Sequence, residues 1–142
     1  MGFFSRKPQT LFPQNLAALL ADWGEREFDR RSHPGIADET DRFVTSLNTS
    51  RDVRERRPEA IAEIRDAGLG AGGWSVYGAW EILSATFLSP VPDEVPAELI
   101  EPRVRFLHDL GHPKLSQHLN TYDMVAYERL FPEEYARMFP NA

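Results

Sequence analysis

The chain has 142 residues, 42% hydrophobic and 27% charged, with 22 acidic against 16 basic side chains and a formal charge of −6. That length suits one domain burying roughly 68–70% of its unfolded surface, so neither a metal nor a disulfide is needed to fold it. Cysteine is absent, which excludes a disulfide scaffold, a thiol nucleophile and thiolate metal sites and favours the cytoplasm, while the acidic balance argues against nucleic acid as partner.

The opening Met1-Gly2-Phe3-Phe4-Ser5-Arg6-Lys7 has no apolar run of signal-peptide length after it, and Arg6 stands where a myristoylation site has Ser or Thr. Residues 1–9 are read as a loosely ordered extension of a single 1–142 domain. Pro13, after Phe12, suits the first position of a helix, where its missing N–H costs nothing. Leu16, Leu19, Leu20 and Trp23 follow at helical spacing, with Gly24 as the expected stop. Residues 25–37 read as a loop. Asp38 is then placed as the cap of a helix carrying Phe43, Val44 and Leu47, with a short strand as the competing reading. Residues 51–57 are charge-rich, and Pro58 opens a segment whose Ile61 and Ile64 share a face until Gly68 and Gly70.

The stretch 72–88 is the most informative. At 100° per residue, Val76, Tyr77, Ala79, Trp80, Leu83, Phe87 and Leu88 fall on one broad side, and Trp74 and Ile82 leave little of the other side polar. Glu81 is its only charge. An acidic side chain mid-span costs on the order of +3 kcal/mol against about −0.3 to −0.6 for each strong apolar residue, so a buried central helix is expected and a membrane span is not. Beyond a loop at 89–93, Pro96 starts a short helix and Pro102 breaks or restarts it. Val104, Phe106, Leu107 and Leu110 make the next segment amphipathic up to Gly111. Asn120 or Thr121 caps a helix with Tyr122, Val125 and Ala126 on one side, and Pro132 opens the last one. The expected fold is all-α: an irregular array or bundle of about 5–7 short helices round the central one.

Among chemistry-bearing groups, His108, His112 and His118 stand at offsets of four and ten. That spacing resembles the His-x-x-x-His-x5-His ligand run of the metzincin zinc peptidases, which implies three zinc ligands and a general base beside the first. Asp109 occupies the position of that family's Glu and Leu115 that of its turn glycine, and Gly111 with Pro113 stops the helix where His112 would have to project beside His108, so ordinary surface or helix-capping histidines are the leading reading. Glu81 is a candidate acid or base if burial raises its pKa, and the simpler reading is a rim position or a salt bridge to one of the arginines. Trp74, Tyr77 and Trp80 are candidates for an aromatic ligand or partner pocket, although aromatic residues at helical spacing more often form core. Arg51, Arg54, Arg56 and Arg57 alternate with acids, as on a solvated face with local ion pairs. The glycines of 68–73 lack the Lys-Ser/Thr of a phosphate loop and read as a hinge.

No nucleophilic triad is assignable. The leading expectation is therefore a non-enzymatic interaction module, of inhibitor or immunity type, that occludes another protein through Trp74, Tyr77, Trp80 and Glu81, with no cofactor. The alternative is a metal-dependent hydrolase using His108, His112 and His118. A homo-oligomer packed across the central helix is the third reading.

Overall fold

A computed structural model describes residues 10–87, 96–111 and 115–140. Among these the chain forms α1 (Leu16–Phe28), α2 (Ile36–Thr49), α3 (Arg51–Glu55), α4 (Arg57–Ala71), α5 (Trp74–Thr86), α6 (Ile100–Leu110), α7 (Thr121–Leu130) and α8 (Pro132–Met138). Short 3-10 turns lie at Arg30–Ser32, Ala97–Leu99 and Leu115–His118. No strand occurs among the described residues, so the chain is an all-α array. Leu88 and the expected loop at 89–93 lie outside them.

The central place of α5 follows from its composition. It buries Val76, Tyr77, Ala79, Trp80, Ile82 and Leu83 and is packed by α1, α4, α6 and α2. The crossing with α1 is the tightest. A Cβ on Gly78 would stand 2.1 Å from the Leu20 carbonyl oxygen, and one on Gly24 would stand 2.4 Å from that of Trp74. Glycine at both positions lets the two backbones touch, and Ser75 Oγ then donates to the Ala17 carbonyl at 2.9 Å across the same contact.

Several boundaries differ from the sequence reading. Gly24 does not stop α1, because it serves the crossing and the helix continues to Phe28. Likewise Gly68 lies inside α4, where an added Cβ would meet Ala79 Cβ at 2.6 Å; the chain reverses only at Gly72 and Gly73, which take φ of 69° and 55° that other residues rarely adopt. Residues 51–55 are helical because Ser50 caps them, its hydroxyl accepting from Val53 N–H at 3.3 Å. In α2 the helix starts at Ile36, and Asp38 sits in its first turn beside the N-terminal dipole. Of the two readings of Pro102 the restart holds: the 3-10 turn at Ala97–Leu99 gives way to α6, and Pro102 stands in the first turn of α6, where no N–H is owed to a carbonyl. These extra starts raise the count to eight α-helices among the described residues.

Two apolar clusters result. One gathers α1, α2, α4 and α5 around Leu20, Ile64, Ile82 and Leu83. The other gathers α6, α7 and the aromatic side chains of α8 around Val104, Leu107 and Tyr127.

Candidate functional site

The four residues singled out in α5 do not share one surface. Trp80 and Tyr77 are 2% and 4% exposed, which makes them core. Trp74 is half-buried in an edge-to-face group with Phe28, Tyr77 and Phe106, its ring 4.7 Å from that of Phe106. Glu81 turns to α6, where Arg103 Nη2 donates to its Oε2 at 2.9 Å.

The salt bridge to an arginine expected for Glu81 is thus formed, and Arg103 is the hub of a wider polar cluster whose other carboxylate, Asp123, the sequence reading did not single out. Its side chain is 2% exposed and pairs with Asp123, which is fully buried. The same guanidinium donates to the His118 carbonyl at 3.4 Å and lies 4.7 Å from the Tyr77 ring centroid. Asp123 also closes the capping box of α7, accepting from Asn120 N–H while its own N–H donates to Asn120 Oδ1. One arginine thus joins α5, α6, α7 and the turn at Leu115–His118. Burial raises the Glu81 pKa against the opposing pull of Arg103, and burial with the nearby Glu81 charge raises that of Tyr77. The cluster's chemistry is that of a sealed joint: Asp123 has no access to solvent, and removing one partner of such a pair costs about 3–5 kcal/mol. A weak signal existed, because Arg103 stands four residues before Leu107, on the face where an apolar residue was due.

The described histidines have separate neighbours. The His108 ring stacks on Phe131 at 3.7 Å with a 4° interplanar angle, and its Nε2 lies 3.1 Å from Glu134 Oε2. His118 stacks on Phe28 at 4.1 Å. His112 lies outside the described residues. Among those described, no three His, Asp or Glu side chains are placed to hold a metal ion. The interleaved arginines form local pairs, Arg51 with Glu55 at 3.0 Å and Arg56 with Glu59 at 2.9 Å.

Two open grooves lie on the surface of the described residues, and Glu81 lines neither. The first, about 580 Å³ between α1 and α2, is lined by Phe12, Leu16, Leu19, Trp23, Phe43 and Leu47. Glu63 of α4 holds its near wall by accepting the N–H groups of Leu11 and Phe12 at 2.6 and 3.3 Å. On its rim Arg26 is neutralised by Asp22 at 2.8 Å and Glu39 at 2.6 Å. Arg42, on the same rim, is exposed and has no ion pair among the described residues. The second groove, about 780 Å³, runs between α6 and α7 beside Ile100, Pro102, Tyr122, Val125 and Ala126.

No helix among the described residues is long and apolar enough to cross a membrane. Comparison with protein-family models, curated proteins and solved structures finds no match, so the reading of function rests on these surfaces.

Proposed function

We propose that the chain is a cytoplasmic protein-interaction module whose α1–α2 groove receives an amphipathic helix of a partner protein and thereby occludes it. The observation that carries this reading is the open apolar floor between α1 and α2, with Arg42 exposed on its rim and in no ion pair among the described residues. Leu19, on the floor, is 43% exposed although it belongs to the apolar side of α1, and covering it together with Phe43 and Phe12 removes apolar surface from water. A helix lying along the 13 residues of α1 meets about 20 Å of groove, enough for anchors at i, i+3 or i+4, and i+7.

The rim sets the partner's polar pattern. Because Asp22 and Glu39 already hold Arg26, Arg42 is left to pair with an acidic residue of the incoming helix, which fixes its direction and register. The chain's own charge of −6 makes that contact local, so a strongly acidic partner is repelled overall and an apolar helix with one well-placed carboxylate is favoured.

Affinity capture at low salt with the wild-type chain, Leu19→Asp and Arg42→Glu tests this. Wild type is expected to retain a stoichiometric protein partner. Leu19→Asp should weaken that binding by about tenfold or more, and Arg42→Glu should weaken it less, with unchanged circular dichroism in both. Failure to retain any stoichiometric partner, or equal binding by folded Leu19→Asp, overturns the reading.

A further inference from the structure

The charges at the end of α1 are set against the helix that carries them. Glu25 and Asp29 stand one helical turn apart, so their like charges share a face. They lie in the last turn and at the C-cap, where the helix dipole is already negative. The cations nearest in sequence do not relieve them, because Arg26 is held by Asp22 and Glu39, and Arg30 by Glu27. Both carboxylates are exposed, and neither is in an ion pair among the described residues. Each of these choices lowers stability, and such local conflicts gather at functional sites. The same two side chains share a recess of about 370 Å³ with Phe28, Trp74 and Leu110.

We propose that this recess binds a quaternary alkylammonium ion, its methyl groups against the rings and its charge between Glu25 and Asp29. The wall is aromatic and aliphatic, and its rings are held in place before any ligand arrives. Phe28 stacks on His118 at 4.1 Å, and Trp74 meets Phe106 edge-to-face at 4.7 Å and Phe28 at 5.2 Å, so little ordering is left for binding to impose. Leu110 extends the apolar surface and is 37% exposed. An organic cation complements such a wall, because the rings and the two carboxylates attract the same charge. A trimethylammonium head has no N–H groups to satisfy there and loses little hydration against the rings. A bare metal ion is the poorer fit, since no third His, Asp or Glu among the described residues completes a ligand set.

The recess shares no residue with the α1–α2 groove, so either assignment can fail alone. Choline is the probe, and its uncharged analogue with carbon in place of nitrogen is the control. In NMR titration, choline should shift the Trp74 indole N–H signal with half-saturation on the order of 1 mM, while the signals of the buried Trp23 and Trp80 stay in place. The analogue should bind at least about tenfold more weakly. The double variant Glu25→Gln, Asp29→Asn should also weaken choline by about tenfold, with an unchanged fold because both positions are exposed. Trp74→Leu should weaken it as well. Co-sedimentation with phosphatidylcholine vesicles would identify the cation as a lipid headgroup, and its absence beside choline binding would identify a free ion. A Trp74 signal unmoved by about 50 mM choline, equal binding of the uncharged analogue, or undiminished binding by the double variant each overturns the proposal.

Discussion

Replacing Gly78 by alanine sets two effects against each other at the α1–α5 crossing. In an unhindered helix the change gains about 1 kcal/mol. Here the new Cβ would stand 2.1 Å from the Leu20 carbonyl oxygen, 2.9 Å from the Leu20 carbonyl carbon and 3.3 Å from the Gly24 nitrogen. All three are backbone atoms of α1, so no side chain can rotate out of the way and the whole helix must retreat. Overpacking costs about 1–3 kcal/mol where neighbours yield, and an obstacle made of backbone puts this site at the upper end, for a net loss of about 2 kcal/mol. Urea unfolding followed by circular dichroism should show the midpoint falling by about 1 M, given a slope of about 2 kcal/mol/M for a chain of this size. Gly70 is the matched control. It lies in α4, a Cβ there meets nothing within 4 Å, and Gly70→Ala should stabilise by about 0.5–1 kcal/mol. A Gly78→Ala protein as stable as wild type, or a shift of the same sign at both glycines, would refute the idea that this crossing depends on backbone contact.

Asp123→Ala should destabilise by about 2–3 kcal/mol, since it leaves the buried Arg103 with Glu81 as its remaining carboxylate partner and also removes the capping box of α7. A loss below about 1 kcal/mol in urea unfolding would mean that solvent reaches this joint. The hydrogen bond from His108 lowers the Glu134 pKa, so this pairing contributes stability above the usual carboxylate range and loses it as pH falls through the lowered value. Carboxyl NMR titration should find Glu134 below its ordinary pKa in the wild type and closer to it in His108→Ala; identical titration curves would exclude the link.

Periodicity within one segment was legible, and contacts between segments were not. The broad apolar side of α5 identified the central helix because Trp80, Ile82 and Leu83 are buried whatever surrounds them. Gly24 and Gly68 were read as stops because glycine lowers helix propensity. Their use as close-approach points depends on Gly78 and Ala79 in another helix, which no local pattern reveals. The candidate site followed the same logic. Aromatic residues at helical spacing marked α5, but spacing alone does not separate the buried Tyr77 and Trp80 from the half-exposed Trp74. Arg103 and Asp123 are 20 residues apart and each looks like a surface charge in its own segment. Tyr122 and Val125 were seen as a stripe, but the burial of Asp123 and Tyr127 turned that stripe outward.

The α1–α5 crossing also bears on how the chain is made. Ser75 and Ala17, which bond across it, are 58 residues apart, whereas α4 and α5 meet through a turn of two glycines. Loop-closure entropy favours the α4–α5 hairpin, whose helices are joined by a short turn, over the distant α1–α5 contact as the earlier to form. During synthesis α1 leaves the ribosome long before its counterpart exists. For that interval Leu16, Leu20 and Trp23, which the folded chain buries, have no α5 to pack against, and exposed apolar surface of this kind is prone to aggregation.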